Sequence, residues 1–269
     1  MSDRGVAAPR DDTSVSPSLP LLLAIAVYIA ATYSLLLLDR GTFDPLIQED
    51  GIVEWVGTLG FLVASGCFLA AFLLTRRTEN RSRYTLVKRL SLLALALLLF
   101  VFAGEEISWG QRLLGLETPE SLQTANVQSE TNLHNLDLLQ NTLSVDRLFQ
   151  MFWIGLGVLV PLLAAFWPRA RRLLDRALPI FPLSVALLFV FSQALEVGFQ
   201  SLLDGRSDLY NSTYPIGSAT VEILESNVGL LLGLGAVAVL RSLRQEADAF
   251  KPEGDAPIPV PADVVPTPA

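Results

Sequence analysis

The sequence predicts an all-α polytopic membrane bundle of about six transmembrane helices, with both termini in the cytoplasm. Three observations lead there: an apolar composition, six apolar runs of membrane-spanning length, and basic residues concentrated in alternate connections. Hydrophobic residues make up 51% of the 269 and charged residues only 17%, with a mean hydropathy of +0.47. A soluble domain must cover its surface with polar groups, and this chain has too few to do so.

Crossing a hydrocarbon core takes about 20 residues at helical rise. Apolar runs of that size occur near 19–38, 52–75, 89–108, 148–167, 178–202 and 220–240. The first follows a polar leader and stays apolar through Leu35 to Leu38 without a small-residue cleavage site, so it reads as a span and not as a signal peptide. Lysine and arginine resist translocation and mark the cytoplasmic connections. Fifteen of the nineteen fall in the leader, in the links after the second and fourth spans, and in the tail; Arg40, Arg112, Arg147 and Arg206 are the others. Six spans with both ends inside satisfy every connection. Seventeen of the twenty-seven acidic residues fall on the outer side, an asymmetry that the rule for basic residues does not require.

Residues 1–17 and 246–269 have the Pro-, Asp- and Ser-containing composition of disordered segments and flank a membrane domain over 18–245. The outer connection, 109–147, is expected to form a helical lid. Thr118-Pro119-Glu120 combines a cap residue with proline at the first helical position. Leu133, Leu136, Leu139 and Leu143 recur at helical spacing, which predicts a second helix over 132–143 lying along the membrane surface.

Ionisable groups inside spans are costly unless they face the bundle, a partner or water. Glu54 and Thr58 share a face of the second span; Glu105, Glu106, Ser108 and Arg112 cluster at the end of the third; Gln193, Glu196 and Gln200 stripe the fifth, and Glu222, Glu225 and Gly229 the sixth. All occupy outer ends, while the inner halves are almost wholly apolar. The stripes are therefore expected to converge on a cavity open to the outer side. The single histidine, His134, lies in the lid and shares a helical face with Glu130.

Carboxylates with an imidazole suit acid–base chemistry or a divalent metal. Glu106, Glu225 and His134 are the catalytic candidates; Glu106, His134, Glu196 and Glu222 would hold one divalent metal ion; Arg112, Trp109, Gln193 and Gln200 would contact substrate. The structural alternative is a buried polar network in which Arg112 neutralises one glutamate and the amides satisfy the rest, fixing helix register. Trp55, Trp109, Trp153 and Trp167 stand near span ends, as membrane-anchoring tryptophans do. Gly229 and Gly233 form a GxxxG that lets a neighbouring helix approach closely. Cys67 has no partner for a disulfide.

Three functions compete. A hydrolase or transferase for a lipid or lipid-linked substrate would use the carboxylates, with Arg112 drawing an anionic head group. A non-catalytic assembly subunit would dock a protein partner on the outer connection. A transporter would need polar groups near the midplane, and Gly155, Gly157 and Pro161 in the fourth span are the only interruptions that favour it. Membrane lipids are the expected surroundings in each case. The net charge of −8 argues against a nucleic-acid partner.

The strings Gly104-Glu105-Glu106-Ile107-Ser108-Trp109-Gly110-Gln111-Arg112 and Glu130-Thr131-Asn132-Leu133-His134-Asn135, with Glu49 to Trp55 upstream, resemble an uncharacterised family of bacterial multi-pass membrane proteins. The resemblance implies an inner-membrane location, and hence a periplasmic outer side, and it implies no activity. A fainter similarity is to ceramidase-like membrane hydrolases, which hold zinc with histidines. This chain has one histidine, so a zinc site of that kind would need carboxylates in place of two ligands.

Overall fold

The computed structural model describes residues 16–47, 51–77, 85–115, 117–119, 144–203 and 216–248. Among these there is no strand. Six helices are long and apolar enough to cross a membrane, which makes the chain an all-α, multi-pass membrane protein. The first span is α1 (Leu19–Ser34), extended by a 3-10 turn over Leu35–Leu37. A short helix α2 (Arg40–Ile47) follows. Its start is capped by Asp39, whose carboxylate accepts from the Thr42 amide at 3.2 Å and the Thr42 hydroxyl at 2.7 Å. The second span is α3 (Ile52–Arg77) and the third α4 (Leu86–Glu106), which Thr85 caps by accepting from the Lys88 amide at 3.1 Å.

After α4 come a 3-10 turn over Ser108–Gly110 and the four-residue α5 (Gln111–Leu114). Of the expected lid, 120–143 lies outside the described residues, including His134 and both predicted lid helices beyond Pro119; so do the leader up to residue 15 and the tail from 249.

The fourth span joins α6 (Val145–Trp153), a π-helical segment (Ile154–Leu159) and α7 (Val160–Phe166). Pro161 has no N–H to give the carbonyl of Gly157, and its ring crowds that carbonyl, so the turn before it opens. Pro168 forces Trp167 into an extended conformation and then starts the basic amphipathic helix α8 (Pro168–Ala177). The arginine-bearing link after the fourth span is thus a helix over most of its length. Pro179 and Pro182 delay the fifth span, α9 (Leu183–Leu203), past its expected start near 178. The last helix, α10 (Ile216–Asp248), runs beyond 240 and takes in the first residues assigned to the tail.

The sixth span is the axis of the bundle. Its most apolar stretch is 78% buried, against 22 to 39% for the other five. It meets α3 along a seam of small residues. A Cβ on Gly57 would lie 2.6 Å from the Ser226 Cα, and one on Gly233 would lie 2.9 Å from the Gly60 carbonyl oxygen. Backbones can approach this closely only where neither side chain intervenes. Phe181, just before α9, fills the space against Gly235 and stacks on Phe68 at 6.4 Å between centroids.

Trp153 departs from the expected belt. It is 2% exposed and stacks on Phe189 at 5.8 Å, because the span starts at Val145 and carries this residue more than two turns inward. Trp167 is exposed at a span end, where an anchor belongs.

At the arginine-rich end, Lys88 of α4 donates to the Asp175 carboxylate of α8 at 2.8 Å, and the Thr85 hydroxyl donates to the Arg176 carbonyl. Lys88 is buried and Asp175 is 43% exposed, so the pair is screened on one side. Lys88→Met is expected to lower stability by about 1–2 kcal/mol, read as a fall in the thermal midpoint in detergent, with Arg89→Met as the comparison.

Candidate functional site

The acid-rich ends of three elements carry the candidate chemistry. Glu105 and Glu106 finish α4, Asp146 lies in the first turn of α6, and Glu222 and Glu225 lie near the start of α10. Glu225 is desolvated by burial and also feels the charges of three other carboxylates, Glu106, Glu222 and Asp146. Glu106, Glu222 and Glu225 are half-buried and Asp146 is exposed. The structure thus brings Glu106, Glu222 and Glu225 together and adds Asp146, which the sequence reading had counted only among the outer acidic residues.

Beside this group the chain makes an unusual turn. Ser108, Trp109 and Gly110 all have positive φ, at 45°, 55° and 76°, a conformation that costs non-glycine residues about 1–2 kcal/mol each. The reversal sends the Trp109 indole back over Gly104, where a Cβ would lie 2.8 Å from its Cε3, and its Nε1 donates to Glu105 Oε1 at 2.6 Å. Backbone strain of this kind persists only where surrounding contacts over-determine it. Glu105, 7% exposed, therefore holds the turn, while the charge of its neighbour Glu106 acts on Glu225. Trp109→Phe keeps the ring on Gly104 and removes the donor. It is expected to cost about 1–2 kcal/mol, measured by thermal unfolding, with Trp55→Phe as the comparison.

Gln111 continues the same segment, donating to the Thr118 hydroxyl at 2.5 Å. Arg112 lies in α5, immediately past the turn. His134, expected as lid ligand and catalytic group, lies outside the described residues.

Glu196 sits in a second polar group. It accepts from Gln193 Nε2 at 2.6 Å and also from Gln200 Nε2, which reaches the Thr220 hydroxyl at 2.9 Å. The group continues through Tyr33, which shares a 3.3 Å hydrogen bond with Ser192 and feels the charge of Glu196. Asn227 donates to Thr32 at 3.2 Å. Thr220 and Asn227 are seven residues apart and share a face of α10; Glu222 and Glu225 lie on the opposite face. The axial helix therefore separates a carboxylate group toward α4 and α6 from an amide-rich network toward α1 and α9. The signal for the second group was present in Thr220 and Asn227 at i, i+7, but neither residue is ionisable.

Among the described residues, no three His, Cys, Asp or Glu side chains are placed to hold one metal ion. A group of carboxylates is suited to proton transfer: one carboxyl can give up a proton while another accepts one, the division of labour that hydrolysis and group transfer require.

Fold and site together define a six-span α-helical membrane protein with a carboxylate group at the acid-rich end of its axial helix. Comparison with protein-family models, with curated proteins and with solved structures gives no match.

Proposed function

We propose that the protein performs acid–base chemistry, as a hydrolase or transferase, on a lipid or lipid-linked substrate at the outer face of a bacterial inner membrane. The observation that carries this reading is the meeting of Glu106, Asp146, Glu222 and Glu225 from three separate helices at one end of the bundle. Grouping like charges opposes folding, and a structure that needs only register can obtain it from amides and hydroxyls, as the Glu196 network does. In this reading Glu225 takes the proton from water or a substrate hydroxyl, and Glu106 protonates the departing oxygen. Arg112 is positioned along the chain to meet an anionic head group, with His134 a further candidate from the connection. The arginine-rich connections support cytoplasmic termini, and on that reading the carboxylates face the outer side.

The test is incubation of the purified protein in liposomes of bacterial polar lipids, followed by mass spectrometry of the lipids. New lipid species are expected with the wild type and not with Glu225→Gln; identical lipid profiles would remove the enzymatic reading. A second reading, a non-catalytic subunit, draws on the exposure of Asp146 and Glu117, an acidic surface suited to a basic partner segment. Stoichiometric co-purification of a partner with an unchanged lipid profile would favour it.

A further inference from the structure

A cleft of about 550 Å³ opens between the fourth and fifth spans. Trp153, Ile154 and Val158 form one wall, and Val190, Val197 and Gly198 the other. It exists because the π-helical segment pushes the fourth span out of regular helix, and because Gly198 carries nothing to fill the gap: a Cβ there would meet no atom within 4 Å. The walls are held at the deep end. Phe189 is clamped between Trp153, stacked at 5.8 Å, and Gly157, whose Cβ position lies 2.8 Å from the ring. The opening is therefore preformed by packing.

Both walls lie within membrane-spanning helices. Val190 and Val197 are 47% and 53% exposed, so the mouth of the cleft faces the hydrocarbon. Gln193 is one of only two polar lining residues besides Trp153, and its amide nitrogen donates to Glu196; the other is Ser201, toward the acid-rich end. From Val190 to Ser201 the helix rises about 16 Å, close to one leaflet of a hydrocarbon core about 30 Å thick. Asp146, of the carboxylate group, lies seven residues before Trp153 on the same helical stripe, about 10 Å further toward that end.

We propose that this cleft binds a single hydrocarbon chain of a lipid in the leaflet at the acid-rich end, entering sideways from the membrane. The occupant follows from the surroundings: an apolar, leaflet-long groove open to hydrocarbon excludes water and polar solutes. The inference rests on the proposed lipid chemistry only in saying what the head group meets. The substrate class it then names is a lipid anchored by one long chain, with its head group lifted toward Asp146 and Glu225.

The experiment is photolabelling in liposomes with a phosphatidylglycerol that carries a diazirine midway along one acyl chain. Labelled residues are mapped by mass spectrometry. Labelling is expected to concentrate on Ile154, Val158, Val190 and Val197, above Leu59 and Leu97, which are more exposed than any of the four. Gly198→Leu puts a side chain into the groove from a Cβ position that meets no atom within 4 Å, and it is expected to cut labelling there about tenfold, the effect of losing roughly two buried methylene contacts. Val197→Trp, at the mouth, is a second obstruction, and Leu97→Trp is the comparison. Labelling spread evenly over all lipid-facing residues, or unaffected by both obstructions, would overturn the proposal. Labelling needs no turnover, so its outcome is independent of whether Glu225→Gln abolishes chemistry.

Discussion

Replacing Gly60 with alanine is expected to destabilise the bundle by about 3 kcal/mol or more, the upper range for overpacking. The added methyl would overlap the backbone of Gly229 and Leu230, which cannot rotate aside as a side chain can. Relief would require α3 and α10 to separate along their whole seam, unpacking Gly57 from Ser226 and Gly233 from Gly60. Gly229→Ala meets the Gly57 carbonyl and should behave alike. Gly66→Ala supplies the control, since a Cβ there touches nothing within 4 Å; alanine should be neutral or add about 1 kcal/mol through helix propensity. Thermal unfolding in detergent, followed by loss of the monodisperse species on size exclusion, distinguishes them. A Gly60→Ala protein as stable as Gly66→Ala would mean that the two helices do not pack as described.

Glu225→Gln is expected to reduce turnover of the lipid substrate by about 10²–10⁴-fold, the usual contribution of a positioned general acid or base. Glutamine keeps the volume and one oxygen but cannot take up a proton, so the fold should survive. It also removes one of several crowded carboxylates, and thermal stability should hold or rise. Opposite movements of activity and stability in one variant would be the mark of a functional carboxylate. Glu196→Gln makes the contrast. That side chain is held by Gln193 and Gln200 on the other face of α10, so its loss should lower stability and leave turnover near wild type. Equal turnover by Glu225→Gln and wild type would remove Glu225 from the chemistry.

Hydropathy and the placement of arginines made the architecture legible in the sequence. Each span depends on a local apolar run, and Pro161 and Pro168 mark where the fourth opens and ends. Which helices touch is a different kind of information. Gly229 and Gly233 announced a close neighbour, but nothing local identified it as α3; that pairing depends on Gly57 and Gly60, far away in the chain. The carboxylate group was partly legible because ionisable residues in spans stand out. Asp146 was passed over because it sits in the first turn of its span beside Arg147, where a surface residue would also sit. The reversal at Ser108–Gly110 was hidden, since only Gly110 is a residue that favours positive φ. It forms because the Trp109 indole finds Gly104 beneath it and Glu105 beside it, a contact that exists only once α4 has formed.

The placement of α10 also has a consequence for how the chain is made. Gly60 leaves the ribosome 169 residues before Gly229 does. At about 5–20 residues per second, that is a wait of roughly ten to thirty seconds. Throughout it the glycine face of α3 is in the membrane without its partner, and the five earlier spans leave a place that α10 fills. Among these six spans the axis is therefore inserted after the helices it joins, and not as a core on which they assemble. A nascent chain interrupted after α9 would present to lipid, or to the proteases that survey it, the surface that the finished protein hides most completely.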